Sequence, residues 1–129
     1  MDRRNYSRLK KNIPCSIYCA DKGSVIDEIN AKVIDMSEEG ISFEIEYSEE
    51  LGDTLYLGMP LRFQFVDDYI YIDGVHKVIL QESLNIRNIK VGKRKIRIGG
   101  KIKKAGENWV KYITRQKVMN FVNNNFQIN

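Results

Sequence analysis

Histidine and cysteine are scarce in this sequence, which has one histidine, His76, and two cysteines, Cys15 and Cys19. One histidine cannot supply both a catalytic triad and a metal site, and no nucleophile has a partner histidine in evident register. The cysteines stand four residues apart in a strand-like stretch, and an extended chain holds them too far apart for an easy disulfide. We therefore expect reduced thiols, no metal, no cofactor and no enzymatic activity.

Long apolar runs are also missing. A helix that crosses a bilayer needs about 20 consecutive apolar residues, and no run here approaches that length. The arginine-rich start does not have the form of a signal peptide. With 43% hydrophobic and 29% charged residues interleaved along 129 positions, the composition indicates one folded domain with a single core. We expect a cytoplasmic protein without a membrane span.

Charge of each sign is concentrated in separate segments, although the formal net charge is only +4. Residues 1–11 carry five basic residues and one acid, residues 27–53 carry ten acids and one lysine, and residues 87–104 carry nine basic residues and no acid. Two basic segments thus flank an acidic one. A solvated surface is the simplest explanation of the acidic segment. The first arginines are more informative, because they occur together with a second motif at residues 35–40.

Alternating apolar and polar residues predict six or seven strands. The candidates cover 13–20, 29–35, 41–47, 61–67, 69–81, 83–92 and 93–104, and residues 51–60 are predicted as a loop or a short edge strand. The last segment has a helical period, with Trp109, Val110 and Ile113 near one stripe, and predicts an amphipathic helix at about 107–124.

These elements predict a mainly β fold, a six- to seven-stranded antiparallel β-barrel with a C-terminal α-helix. Residues 1–11 show no apolar periodicity and are predicted as an arm, and residues 12–129 as a single barrel domain. Gly92 is expected to turn a hairpin, Gly74 to mark a bend or bulge, and the Gly99–Gly100 pair to mark a bulge or a close backbone approach.

Two short motifs stand out. Arg4 and Arg8 form R-x-x-x-R, with Arg3 in front of them, and "DMSEEG" at 35–40 forms D-x-S-x-x-G between the second and third predicted strands. Each motif alone has a simple explanation, because basic termini are common and Asp, Ser and Gly are ordinary turn residues. Their occurrence together and in this order is more informative.

The motif pair, the strand plan, the glycine-containing last strand and the C-terminal helix together resemble the PilZ domain, a family of receptors for the bacterial second messenger cyclic di-GMP. The resemblance covers about residues 3–122. It departs from the family pattern in the last strand, where Gly100 stands in place of a usual hydrophobic residue and Ile102 in place of a usual Phe. These departures concern packing more than ligand contact.

The resemblance implies that cyclic di-GMP is bound by Arg3, Arg4, Arg8, Asp35, Ser37 and Gly40. Arginine matches the adjacent O6 and N7 acceptors of guanine, and phosphate oxygens, with two parallel hydrogen bonds. Asp35 would accept from guanine N–H groups, Ser37 would contact a base edge or phosphate, and Gly40 would allow a positive-φ turn and a close backbone approach. Binding of a monomer and binding of an intercalated dimer both stay open.

The resemblance further implies a signalling role. Ligand binding would order the N-terminal arm and change a surface that an unidentified protein effector recognises, as in relatives that control motility, exopolysaccharide synthesis or attachment. One alternative is a degenerate PilZ-like protein–protein interaction domain without nucleotide binding, against which the intact motifs argue. Another is a small basic barrel that binds RNA or DNA through residues 87–104. That segment lacks interleaved aromatic residues, so no nucleic acid is expected.

Overall fold

The computed structural model describes residues 9–19 and 28–125, which form a closed barrel of six antiparallel strands in the order β1-β2-β3-β6-β5-β4. The strands are β1 (Leu9–Cys19), β2 (Glu28–Met36), β3 (Gly40–Glu46), β4 (Pro60–Ile72), β5 (His76–Val91) and β6 (Lys95–Ile102). Two helices are present in these residues, α1 (Glu49–Thr54) and α2 (Glu107–Asn125). The predicted fold class, a mainly β barrel with a C-terminal helix, is confirmed.

Helix α2 packs on the aromatic part of the core. Trp109 lies edge-on to Phe63 and Phe65, with ring centroids 5.5 and 5.9 Å apart. Tyr112 also contacts Phe65, at 5.6 Å. Both helix aromatics are buried, and aromatic side chains of this size contribute much of the apolar area of a core. The N-terminal turns of α2 therefore belong to the hydrophobic core of the barrel.

Two polar contacts position α2. Before the helix begins, the backbone N–H of Gly106 donates to the carboxylate of Glu82 at 3.0 Å. Burial raises the pKa of Glu82, and this hydrogen bond acts in the opposite direction. The Tyr112 hydroxyl donates to Asp68, and burial together with that carboxylate raises the pKa of Tyr112. The start of the helix is therefore attached to strands β4 and β5.

Two local predictions are wrong. Residues 51–54, the start of the segment 51–60 predicted as a loop or short edge strand, lie in α1, because Ser48 caps the helix by accepting from the Leu51 N–H at 3.1 Å. Residues 69–81 do not form one strand. They contain a reversal between β4 and β5, where Asp73 and Gly74 have φ of 58° and 69°. Two consecutive positive φ values are typical of a tight hairpin turn.

The predictions for the last hairpin are confirmed. The N–H of Gly92 donates to the carbonyl of Lys95 at 2.8 Å where β5 turns into β6. A Cβ at Gly99 would lie 2.6 Å from Oδ1 of Asn88, and a Cβ at Gly100 would collide with Leu84. The paired glycines therefore allow β5 to approach β6 closely, next to a bulge in β5.

Candidate functional site

The D-x-S-x-x-G residues lie together where β2 turns into β3, a segment that we call the β2–β3 corner (residues 35–40). Asp35 is half-buried near the end of β2 and pairs with Ser42 of β3. Ser37 is buried in the connection, and Gly40 is the first residue of β3. Arg3, Arg4 and Arg8 lie outside the described residues.

The turn of the corner is closed by its own hydrogen bonds. The backbone N–H of Ser37 donates to the Gly40 carbonyl at 2.8 Å, and the N–H of Gly40 donates to Ser37 Oγ at 3.1 Å. Ser37 is only 4% exposed, so a turn without its hydroxyl would leave a buried N–H without a partner. In this structure the Ser37 hydroxyl therefore stabilises the conformation of the corner.

The backbone conformation of Gly40 differs from the expectation. Among the described glycines, positive φ occurs at Gly58 and Gly74 and not at Gly40. Gly40 is instead buried and pairs with Lys101 of β6. The expected positive-φ turn at Gly40 is wrong, because the hydrogen bonds to Ser37 close the turn while Gly40 already has the extended conformation of β3.

The corner is held from outside by α2 and β6. The indole Nε1–H of Trp109 donates to the Ser37 carbonyl at 3.2 Å. Lys117 Nζ lies 2.8 and 3.0 Å from the two carboxylate oxygens of Glu38. The N–H of Ile102 donates to the Glu39 carbonyl at 2.8 Å. Ser37, Glu38 and Glu39 thus each have a hydrogen-bond partner on α2 or β6.

Sequence reasoning missed Trp109 and Lys117 as residues that support the site. Trp109 was assigned to the helix stripe, and Lys117 is an ordinary basic residue of a helix. The only available signal was that this one tryptophan stands at the start of α2. Nothing in the sequence relates position 109 to position 37, because their contact depends on how the helix docks on the barrel.

The first described residue adjoins the same corner. Leu9 of β1 pairs with Met36, and Lys10 pairs with Asp35. The chain therefore enters the barrel beside the D-x-S-x-x-G residues, and the covalently attached segment 1–8, which contains the arginines, precedes that point in the sequence.

A groove of about 780 Å³ lies elsewhere, between β2, β3 and α1. Its lining includes Glu28, Glu46 and Leu51 but none of Asp35, Ser37 and Gly40. β2 and β3 pair only as far as Lys32 and Glu44, so the strands separate towards this groove. Its size does not make it the candidate site, because the sequence motif and the supporting hydrogen bonds are at the opposite ends of these strands.

The described ranges contain two cysteines. Cys15 and Cys19 are free, and burial raises the pKa of Cys15 to about 12.

Residues 9–19 and 28–125 contain no group of three or more His, Cys, Asp or Glu side chains arranged to hold a metal ion. No helix in these ranges has the length and apolar character needed to cross a membrane.

Comparison with protein families shows that the PilZ domain model matches residues 2–101 of this chain. The matched region includes both arginines of R-x-x-x-R, the whole D-x-S-x-x-G motif and nearly all of the barrel. It ends one residue before the end of β6 and does not include α2. A search of curated proteins found no match.

Solved structures with the same fold include three bacterial proteins. The PilZ domain with c-di-GMP of Escherichia coli YcgR has a TM-score of 0.67 at 13% identity, and the match covers 98% of this chain and 100% of that one. The Bacillus subtilis inhibitor of motility MotI/DgrA scores 0.66 at 15% identity over 95% of this chain. The K. pneumonia MrkH–c-di-GMP complex scores 0.63 at 10% identity over 99% of this chain.

These likenesses establish the fold at the level of the whole barrel and helix. The chain spans only 53% of the MotI chain and 57% of the MrkH chain, about half the length of each. It spans the complete YcgR domain. The described architecture therefore corresponds to one domain of these larger proteins.

Proposed function

This chain belongs to the PilZ domain family, and from that premise we propose that it is a receptor for cyclic di-GMP. Two structures with the same fold, the YcgR domain and MrkH, are complexes with that dinucleotide. Both motifs that carry the resemblance are intact in this sequence, R-R-x-x-x-R at 3–8 and D-x-S-x-x-G at 35–40.

The observation that carries the proposal is the pairing of Leu9 with Met36. It joins the end of the arginine-rich segment to the strand that contains Asp35, although the two motifs stand about 30 residues apart in the sequence. A single nucleotide ligand could then contact arginines from one segment and a carboxylate from the other. This supports one shared site rather than two independent surface features.

The proposed roles follow from the chemistry of the groups. Arg4 and Arg8 bind guanine and phosphate through their planar forks, and Arg3 adds a further contact. Asp35 accepts hydrogen bonds from guanine N–H groups. Ser37 and Gly40 form the facing surface, where Ser37 also supports the turn. The arm predicted over residues 1–11 supplies the arginines, although its last three residues, 9–11, already belong to barrel strand β1.

Signalling is proposed to depend on the arm. Binding would order residues 1–11 against the barrel and change the surface presented to a protein effector in motility, exopolysaccharide or attachment control. The ligand would be a monomer or an intercalated dimer. Slower amide exchange of residues 1–11 on addition of cyclic di-GMP is the expected sign, and unchanged exchange with bound ligand would contradict this part of the proposal.

Calorimetric titration tests the function directly. We expect cyclic di-GMP to bind and GTP and an oligonucleotide not to bind. Arg8→Ala should weaken binding about 10- to 100-fold, because a charge-assisted hydrogen bond to a ligand contributes about 1.5–3 kcal/mol. Arg4→Ala and Asp35→Ala should weaken it as well.

A matched control is Arg115→Ala, which removes an exposed arginine from α2 and should leave the affinity unchanged. Absence of cyclic di-GMP binding by the unmodified chain would refute the receptor function and favour the protein-interaction alternative. Binding of the oligonucleotide alone would favour the basic nucleic-acid barrel.

A further inference from the structure

The hairpin that joins β5 to β6 ends in a strongly basic turn. The N–H of Gly92 donates to the Lys95 carbonyl at 2.8 Å, which closes the turn. Lys93 and Arg94 therefore occupy its two central positions. Every residue from 90 to 95 is exposed. We call this segment the basic tip, defined by Lys90, Val91, Gly92, Lys93, Arg94 and Lys95.

The basic tip lies far from the β2–β3 corner. Strand β6 begins at Lys95, and near its other end Lys101 pairs with Gly40 of the corner. Six residues of extended strand span about 20 Å, so the tip and the corner are at opposite ends of the barrel. A partner of the tip would therefore leave the candidate nucleotide site accessible.

The positive charge of the tip is mostly uncompensated. Lys95 pairs with Glu46 of β3 and lines the groove beside the acidic helix α1. Lys90, Lys93 and Arg94 do not line that groove. None of these three side chains forms an ion pair with a residue of the described ranges 9–19 and 28–125. Three cations of the tip thus remain available to an external anion.

Lys90 faces another cation across the hairpin. It is directly opposite Arg97 of β6, and like charges in opposite positions of a sheet are destabilising. The acid nearest to Arg97 is Glu44, 3.7 Å away on β3, which lies on the other side of β6 from Lys90. An anionic surface in contact with the tip would reduce this repulsion.

Apolar side chains accompany the cations. Val91 is 55% exposed and stands between Lys90 and Gly92. Tyr47 is 41% exposed, and its N–H donates to the Arg94 carbonyl at 2.9 Å, so it adjoins the tip. A tyrosine, with an apolar ring and a polar hydroxyl, suits the boundary between water and lipid. The tip therefore suits a partner that offers both negative charge and hydrocarbon.

We propose that the basic tip docks this domain on a membrane surface that contains anionic lipids. The inference goes beyond the proposed receptor function and does not depend on it. Lys90, Lys93 and Arg94 donate to lipid phosphate groups, and Val91 enters the boundary between headgroups and acyl chains. Each cation held near such a surface strengthens binding about fivefold.

Two features favour a lipid surface over a nucleic acid. Residues 87–104 contain no aromatic residue, whereas proteins that bind single strands stack successive bases on aromatic side chains. Against the phosphate backbone of a duplex, Val91 would stay in contact with water and contribute nothing. At a membrane the same side chain is buried in hydrocarbon, which is favourable.

The test is co-sedimentation of the full chain with phosphatidylcholine vesicles that contain or lack phosphatidylglycerol. We expect binding only to the vesicles with phosphatidylglycerol, and weaker binding as salt is added. The double variant Lys93→Gln and Arg94→Gln should bind about 25-fold more weakly, which is the product of two fivefold losses. Val91→Ser should also weaken binding, and Arg94→Lys should retain it because the charge is kept.

A matched control is the double variant Lys103→Gln and Lys104→Gln. It removes two adjacent exposed cations of the same basic segment, just beyond the other end of β6, and should bind the vesicles like the unmodified chain. Because both double variants lose the same net charge, a difference between them locates the binding surface. Circular dichroism checks that every variant is folded.

The proposal is overturned if the unmodified chain does not bind vesicles with phosphatidylglycerol, or if both double variants lose binding equally. It is also overturned, in favour of a nucleic-acid surface, if a duplex oligonucleotide binds more tightly than the vesicles at the same salt concentration and the tip variant loses that binding.

Titration with cyclic di-GMP separates this inference from the receptor function. The tip variant should bind the nucleotide with unchanged Kd, and a raised Kd would contradict the separation of the two surfaces. If the unmodified chain does not bind cyclic di-GMP but sediments with the vesicles through the tip, the receptor function fails and the membrane surface is supported.

Discussion

Ser37 illustrates how much one side chain of the candidate site contributes to structure as well as to chemistry. Its hydroxyl accepts from the Gly40 N–H inside the turn, and its carbonyl accepts from the indole of Trp109. Both contacts are buried, where hydrogen bonds lost without replacement are costly. A serine at this position is therefore explained by the turn alone, and only a ligand-binding measurement separates its two roles.

At the residue scale, the two cysteines should differ in reactivity. Burial raises the pKa of Cys15 to about 12 from an ordinary value of 9.0, whereas Cys19 is only half-buried. Since the thiolate is the reactive form, Cys19 should be alkylated first at pH 8, and Cys15 only on unfolding. Mass spectrometry after brief iodoacetamide treatment measures this difference.

The raised Cys15 pKa also sets the sign of a pH effect on stability. Between pH 9 and about 12 the folded chain keeps the Cys15 proton that the unfolded chain has lost, so the free energy of unfolding falls as pH rises through this window. Cys15→Ser removes the contribution of Cys15 and leaves the contribution of Tyr112, whose pKa is also raised, so the slope becomes smaller, whereas Cys19→Ser is the control that keeps the full slope. Equal slopes in both variants would be inconsistent with a protonated, buried Cys15.

At the element scale, α2 connects the core to the candidate site. Its first turns are buried against Phe63 and Phe65, and its middle reaches Glu38 through Lys117. The helix therefore couples the packing at one end of the barrel to the conformation of the β2–β3 corner. A change in the corner would therefore alter the contacts of Trp109 and Lys117 of α2.

The Lys117–Glu38 contact predicts an effect on both stability and binding. Its side chains are 30% and 19% exposed, so Lys117→Met should lower the free energy of unfolding by about 1–2 kcal/mol, which urea denaturation measures. The corner amides should also exchange faster with solvent, and cyclic di-GMP should bind more weakly.

Lys111→Met provides the comparison for this helix. Lys111 pairs with Glu107 at 3.1 Å, but their side chains are 60% and 80% exposed. Its loss should change stability by less than about 0.5 kcal/mol and leave ligand binding unaltered. If the two methionine variants behave alike, α2 does not support the corner through Lys117.

At the scale of the whole molecule, the barrel brings separate segments of charge to one surface. The acidic segment supplies Asp35 on β2, and the basic segment supplies Arg97 and Lys101 on β6. Strand β3 lies between them, because β6 pairs with β3 as well as with its sequence neighbour β5. The acidic and basic segments of the sequence are thus adjacent only in the closed barrel.

Ligand binding should therefore stabilise the whole fold. A ligand that binds only the folded state raises the free energy of unfolding by about 2.7 kcal/mol at a concentration 100 times Kd. Urea denaturation with and without cyclic di-GMP should show this increase for the unmodified chain and a much smaller one for Arg8→Ala. A destabilising effect of the ligand would indicate binding to the unfolded chain.

Much of this description was predictable from local patterns. Strict alternation, as at 41–47, predicted strands because one face of each is buried in the barrel, and the stripe containing Trp109 and Ile113 predicted α2. The errors came from segments whose residues favour two different local structures. Residues 51–60 were predicted as a loop or edge strand because of their turn glycines, although Ser48 caps a helix that begins at Glu49. Residues 69–81 were predicted as one long strand with a bend or bulge at Gly74, although Asp73 and Gly74 both have positive φ and reverse the chain there.

The sequence by itself determined the fold class and the family, because alternation, glycine placement and motif order are properties of neighbouring residues. Only the tertiary structure decided which distant residues meet: the Trp109 indole at the Ser37 carbonyl, and Gly99 beside Ser42. Such contacts depend on strand order, register and helix docking. Those are set by the packing of the whole core, and no local segment of the sequence encodes them.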